Sequence, residues 1–496
     1  MKTEESNAYL SKSLFIRGLQ CHKSLYLQKN HPEWKDEISE SQETLFQVGV
    51  DVGILARELF PGGAEVPYEG LSKPAQLDLT QSLIKEGKTT LYEAAFIYDG
   101  VFVKADIIHK GIDGWEIYEV KASTVVKLQH VDDVAIQYYV AAGSGLTMSR
   151  ASVVCINTQY TRRGDISVAD LFKIEDKTEI VREKQVFVAE EIVKQQSMLR
   201  GIEPAIDIGP HCDAPYRCDF KGHCWSHIPV PSVFDYADRG KPNGFTLYRQ
   251  GIVKMEDVSP DILGWRQKLQ LDGFLHQKNK IDVNVVRDFV DSLWYPLCFM
   301  DFETMYLVAV PMFDDMQPYQ KVPFQYSLDV IRAPGEEPEH HEFLAAGTEN
   351  PQKEFLERLL MEIPPDACIL TWNQSFEIGR LEDLAAAYPG KTADIHAIIR
   401  NVRDLMAPFR DKSVYHWEFN GGYSIKVVLP ALVPELSYDD LPIRDGAMAS
   451  DAWVRMIQSK DDGEKSTIRR DLLKYCHLDT HAMVRILEKM EEYAGY

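Results

Sequence analysis

Apolar residues along the chain fall into short runs of strand length, set between stretches whose apolar positions recur every three or four residues. In the first half, "TTLYEAAFIY", "VFVKADII", "WEIYEVKA" and "ASVVCINTQY" predict strands, and segments near 43–60, 131–142 and 178–199 predict helices. In the second half, "CFMDFE", "FQYSLDVI" and "CILTWN" predict strands that alternate with helices around 352–361, 375–388 and 466–493. Proline and glycine gather between the halves in "HIPVPSVFDYADRGKPNG", residues 227–244, and mark a boundary. Strands mixed with helices on both sides predict an α/β fold in two domains, 1–230 and 291–496, with a helical connector over 231–290. A chain of 496 residues exceeds what one core usually holds, and no internal repeat or low-complexity tract is present.

Polar residues that break an apolar run carry the chemistry. "MDFET", residues 300–304, ends the run "LWYPLCF" with two carboxylates one residue apart. On a strand, Asp301 and Glu303 share a face, and like charges side by side are unfavourable unless a cation lies between them. The alternative is a solvated strand end. Further on, "CILTWNQSFEIGRL" reads as a strand running into a helix, with Asn373 and Glu377 at the junction. In the late helix "DLLKYCHLDTHAMVRIL", Tyr475 and Asp479 are four apart and share a face. Asp404 in "NVRDL" is expected to be structural.

An earlier segment repeats the theme. "VFVKADIIHKGIDGWEIYEVKAS" reads as a hairpin, with Gly111 and Gly114 flanking its turn. Pairing about that turn sets Asp106 opposite Glu119, with Lys121 on the same face. Two carboxylates and an ammonium on one patch suit a divalent metal with a lysine beside it, or equally a surface ion-pair ladder. Gln137 on the following helix and Glu93 on the preceding strand are near enough to join. "HCDAPYRCDFKGHCW" then spaces Cys212, Cys218 and Cys224 evenly, and Cys21 lies far upstream. Four such thiolates suit a [4Fe–4S] cluster or a zinc ion, although two CxxC knuckles, the usual zinc-ribbon pattern, are absent. Cys155, Cys298 and Cys368 sit in apolar runs and read as buried thiols.

The order Asp106…Glu119-x-Lys121…Gln137 resembles the PD-(D/E)XK nuclease superfamily, specifically RecB-like and CRISPR-associated RecB-type exonucleases. The resemblance implies a restriction-endonuclease-like domain in which Asp106 and Glu119 ligate metal and Lys121 and Gln137 are catalytic. Many relatives add an upstream histidine ligand, whereas "GVDVGILARELFPGG" offers Asp51 and Glu58. One cysteine before the nuclease core and three after it is the arrangement of the iron–sulfur members, so a structural cluster on Cys21, Cys212, Cys218 and Cys224 is implied.

The second set, D-x-E on a strand, an acid at a strand–helix junction and Y-x3-D on a late helix, resembles the DEDDy exonucleases of the ribonuclease H-like fold. It implies that Asp301, Glu303, Glu377 and Asp479 hold two Mg²⁺ or Mn²⁺ ions, that Tyr475 orients water, and that cleavage runs 3′→5′. The usual aspartate of the second motif is replaced by Glu377. Nearly the whole chain resembles a bacterial family that fuses these two domains; "GGYSIK" (Tyr423, Ser424, Lys426) and "YCHLD" match its pattern.

Charge changes this picture. The net charge of −22 argues against an indiscriminate nucleic-acid binder. Acid concentrates in residues 291–496, with 35 acidic and 20 basic side chains, so such an enzyme needs bound cations and local basic strips. Lys12, Arg17 and Lys23 are candidates for such a strip, or a solvated helix face. No apolar run reaches the roughly 18 residues of a membrane span, and the polar start "MKTEESNAYLSKS" lacks a signal-peptide plan. The expected location is the cytoplasm, where the eight cysteines stay reduced, and no membrane partner is expected. The expectation is a metal-dependent nuclease acting on strand ends, DNA more than RNA. The alternatives are a catalytically impaired nucleic-acid- or partner-binding scaffold and a small-molecule phosphohydrolase.

Overall fold

The computed structural model describes residues 9–38, 40–67, 69–237 and 242–496. Residues 238–241 of the proline- and glycine-rich stretch and the first eight of the polar start lie outside the described residues. The fold is mixed α/β, in two compact units: Met1–His227 with Leu307–Tyr319, and Ile228–Tyr306 with Gln320–Tyr496. Two features differ from the expected domain plan. Residues 231–290 are part of the second unit rather than a free connector. Val233, Leu247, Met255 and Leu271 build a small core there, and Gln270 Nε2 donates to Asn420 O at 2.9 Å. Residues 307–319 belong to the first unit, where Ala309 packs with Leu171 and Phe172 and Arg162 donates to the carbonyls of Pro311 and Met312. Among the described residues, no helix is long and apolar enough to cross a membrane.

The first unit begins with helices α1 (Lys12–Gln20) and α2 (His22–Asn30). Its sheet runs, in spatial order, β1 (Thr90–Tyr98), β2 (Val101–Lys110), β3 (Trp115–Lys121), β4 (Met148–Ile156) and β5 (Phe172–Asp176), with short additions at Ala64–Glu65 and Leu10–Ser11. The β2–β3 hairpin has the register its turn implied: Ile107 pairs with Tyr118 and Lys110 with Trp115. β3 and β4 are parallel, as a crossover through α3 (Leu128–Gly143) requires. That helix buries Val131, Val134, Ala135, Tyr138 and Ala141 against the sheet, which fixes where Gln137 points.

The second unit holds β6 (Leu297–Thr304), β7 (Pro323–Ile331), β8 (Glu339–Leu344), β9 (Cys368–Thr371) and β10 (Val402–Asp404), ordered β8-β7-β6-β9-β10. β7 is antiparallel to both of its neighbours, β6 and β8, and β9 and β10 run parallel to β6. Three helices bear on the site: α4 (Gln374–Ala387), α5 (Ile425–Leu432) and α6 (Asp462–Ala494). α6 starts where the Asp461 carboxylate accepts from the amides of Gly463 and Glu464, and it ends at Gly495, whose φ of +91° suits a residue without Cβ. Because β6 and β7 are antiparallel with Asp301 opposite Ser327, residues 301, 303, 325, 327 and 329 share one face. α6 covers that face through polar contacts as well as apolar ones. Gln325 Nε2 donates to Leu472 O at 2.9 Å, and the hydroxyls of Ser327 and Thr480 meet at 2.7 Å.

Candidate functional site

In the second unit, alternation along β6 sends Asp301 and Glu303 toward α6, and one turn of α6 returns Tyr475, Cys476 and Asp479 toward them. One carboxylate oxygen from each of Asp301, Glu303 and Asp479 lies within 4.8 Å of the others. Glu377 comes from the first turn of α4, after Asn373 takes a left-handed φ of +76° that turns strand into helix. It is buried, and its Oε2 has no hydrogen-bond partner.

Burial, then mutual repulsion, raises the acids. Asp301 and Glu303 are pushed well above the carboxylate range, the first by Asp479, Glu303 and Glu377 and the second chiefly by Asp479. Burial pushes Glu377 up to about 8 and Asp479 up to about 6. Against this stands Lys426 at the start of α5, which draws Glu303 and Asp479 downward. Its ammonium donates to Tyr475 Oη at 3.4 Å and lies 5.4 Å from the ring centres of both Tyr438 and Tyr475. Tyr438, which the sequence reading did not single out, donates to Asp479 Oδ1 at 2.6 Å. Its only sequence signal is a polar-tipped aromatic in "ELSYDD", beside acids.

Asp404 lies near enough to Glu377 for its charge to push that carboxyl further up, but its own contacts are structural. It accepts from the amides of Asn373 and Met406 and from the Arg410 guanidinium, at 3.1, 3.2 and 2.7 Å, and so pins the strand–helix junction. Of the "GGYSIK" stretch, Lys426 enters the site, Ser424 precedes α5 as its cap, and Tyr423 is an exposed ring facing the Lys412 ammonium.

In the first unit, the ladder stops at Ile107–Tyr118, and the Asp106 carboxylate accepts from the Val120 amide at 2.8 Å. Glu119 is buried and saturated. Lys12 reaches its two oxygens at 2.9 and 3.1 Å, Lys121 lies at 2.8 Å, and Gln137 Nε2 also donates to it. Lys121 further contacts Asp133 at 2.6 Å, and Lys12 lies 4.0 Å from Asp106. Burial alone would raise Glu119, but Lys12 and Lys121 outweigh it and hold the carboxyl well below its ordinary range. Asp106, half-buried and beside Glu119, is pushed up to about 7 by desolvation and then by the Glu119 charge. Asp133 was missed because one acid in "VDDVAIQ" on a helix carries no pattern. Lys12, expected on a strip with Arg17 and Lys23, instead belongs to this pocket. Arg17 binds Asp219 and Ser24, and Lys23 binds Glu203. Glu93 has a strained φ of +56°, interrupts the β1–β2 ladder opposite Asp106, and pairs with Arg57 and Lys104. Asp51 and Glu58 are both exposed, and Asp51 accepts from Gln47 at 2.8 Å.

Cys21, at the junction of α1 and α2, lines one cavity together with Cys212, Cys218 and Cys224. Cys218 Sγ lies 3.3 Å from Ser24 Oγ. Burial, and then the neighbouring thiols, raise Cys224 to about 11, with Lys23 opposing. Cys155, Cys298 and Cys368 are buried free thiols, and Cys476 places its sulfur 3.8 Å from Asp301 Oδ2.

Residues 298–424 match the family model described as a domain of unknown function, DUF2779, and among curated proteins none matches the chain. The matched segment carries Asp301, Glu303 and Glu377 and ends before Lys426, Tyr438, Tyr475 and Asp479.

Proposed function

We propose that the protein is a metal-dependent nuclease whose principal centre is the carboxylate group of the second unit, in a ribonuclease H-like domain of the DEDDy kind. One observation carries this reading: three carboxylate oxygens lie within 4.8 Å of one another, and a fourth acid, Glu377, is buried with an unpartnered oxygen. Without a cation, burial favours the protonated acids; with one, the same donors are a hard-oxygen set suited to Mg²⁺ or Mn²⁺. Asp301, Glu303, Glu377 and Asp479 would hold the ions. Bound there, the ions supply Lewis-acid activation of a water and charge stabilisation on the leaving oxygen.

The chain's own groups do the rest. Tyr438 fixes the Asp479 carboxylate by its hydrogen bond. Tyr475, its hydroxyl high in pKa from burial and the surrounding acids, stays a proton donor and orients water from the pocket wall. Lys426 offers the pocket's positive charge to a phosphate oxygen.

The PD-(D/E)XK reading of the first unit rests on Asp106, Glu119, Lys121 and Gln137 meeting in one pocket. Lys12 favours a second reading there, an impaired or binding-only site, because it occupies the Glu119 oxygens a metal would need. The four cysteines fit an iron–sulfur cluster or zinc, as soft donors lining one cavity. The substrate is a nucleic-acid strand, DNA more than RNA, with Lys426 among its basic contacts.

Labelled single strands incubated with Mn²⁺ test the reading on wild type, Asp301→Ala, Asp106→Ala and the double variant. Activity lost in Asp301→Ala and kept in Asp106→Ala is the expected result. No degradation by wild type under Mg²⁺ or Mn²⁺ would favour the scaffold. Hydrolysis of nucleotides but not of strands would favour the phosphohydrolase.

A further inference from the structure

A third polar group lies on the same sheet face, beyond the acidic pocket. Asp329 on β7 and His340 on β8 are register partners, and His340 Nδ1 meets Asp329 Oδ1 at 2.7 Å. His477 on α6 places Nε2 4.0 Å from that same oxygen, and the rings of His340 and His477 are 3.9 Å apart. One ligand atom from each of the three lies within 4.8 Å of the others.

A second, independent observation points to a ligand. Asp329 is 1% exposed, yet its Oδ2 is buried without any hydrogen-bond partner. A buried carboxylate oxygen is normally satisfied, so an orphan beside two imidazoles calls for a cation. Both histidines keep solvent access, 27% and 46% of their side chains being exposed, which leaves an ion a way in.

We infer that Asp329, His340 and His477 form a binding site for a borderline divalent ion of the Zn²⁺ or Co²⁺ class, separate from the carboxylate pocket. Two imidazole nitrogens and one carboxylate select such an ion over Mg²⁺, which prefers oxygen. Donors on one such ion stand about 3 Å apart, against 2.7 Å for His340 and 4.0 Å for His477 to Asp329 here, so binding draws His477 inward. His481, one helical turn on with its ring 6.0 Å from that of His477, and Glu342, 3.4 Å from His340 Nε2, flank the remaining positions. The ion ties β7, β8 and α6 together at the helix turn that also bears Asp479. The site does not depend on the protein's being a nuclease.

The test is titration of the full chain with Co²⁺ in excess Mg²⁺, followed by visible absorption and by the melting temperature. In difference spectra against the protein before addition, wild type should bind one equivalent that adds weak visible bands, distinct from any intense near-ultraviolet sulfur-to-cobalt band of the cysteine cavity, and should melt higher. His340→Ala and His477→Ala should each weaken binding by at least about tenfold and abolish the melting shift, whereas Asp301→Ala should bind as wild type does. His340→Gln, which keeps a polar group against Asp329, guards against loss through misfolding and should also fail to bind. The absence of Co²⁺ binding, binding only with the sulfur signature, binding undiminished in both histidine variants, or binding lost in Asp301→Ala would each overturn the site.

Discussion

The two acidic pockets differ in how their charge is balanced. In the first unit, Asp106, Glu119 and Asp133 face Lys12 and Lys121, and the chain nearly neutralises itself. In the second, Lys426 offsets only Glu303 and Asp479, so burial drives all four carboxyls of Asp301, Glu303, Glu377 and Asp479 upward and repulsion adds to it at the first three. A pocket that supplies its own counter-charge can stand without metal, whereas one that does not must bind protons or cations. That difference makes the second pocket the stronger candidate for metal chemistry.

The sharpest break of the comparison is in stability. Glu119→Gln should destabilise the protein by about 3–5 kcal/mol in denaturant unfolding, because it removes the buried counter-charge that Lys12 and Lys121 share and leaves Lys12 only Asp106 at 4.0 Å. Asp301→Asn should instead stabilise the metal-free protein, because it removes repulsion; equal losses in both variants would erase the distinction. Next comes activity. Asp301→Ala should lower strand cleavage by about a hundredfold or more, measured as initial rate at saturating Mn²⁺.

A pH series sharpens the contrast further. Glu377 rises on folding from an ordinary 4.5 to about 8. A carboxyl raised on folding contributes stability that is complete below the unfolded value and is lost as pH climbs through the folded one. In EDTA, melting temperature should therefore fall between about pH 4.5 and 8, and saturating Mg²⁺ should flatten the curve. The smallest expected effect is that of Tyr438→Phe, roughly a tenfold loss of cleavage, because the residue acts by positioning Asp479. Unchanged rates in this variant would remove Tyr438 from the site. The cysteines provide a separate check: anaerobically purified protein should show a broad visible iron–sulfur absorption that Cys224→Ser removes, and a colourless zinc-containing protein would exclude iron.

Much of the scaffold was legible because apolar periodicity reports which faces are buried. β6, β7, β9, α4 and α6 lie where the pattern set them, and the Gly111–Gly114 turn carried the hairpin register. β5 and β8 were not legible. "FKIED" and "EHHEFL" are polar edge strands whose pairing, rather than their own hydrophobicity, makes them strands. Spacing along strand and helix proposed Asp301 with Glu303 and Tyr475 with Asp479, since alternation and the helical turn are local properties. Partners drawn from distant segments had no such signal: Lys12 reaches Glu119 across 107 residues and Tyr438 reaches Asp479 across 41.

By itself, then, the sequence determined the local periods, and through them the elements and the face on which each candidate acid would stand. Only the tertiary structure decided which charges meet. It placed Lys12 against Glu119, left Glu377 Oε2 and Asp329 Oδ2 without partners, and gathered two histidines beside the latter. The reason is physical: periodicity is set by bonds between near neighbours, whereas the balance of buried charge depends on every segment that folding brings within a few ångströms.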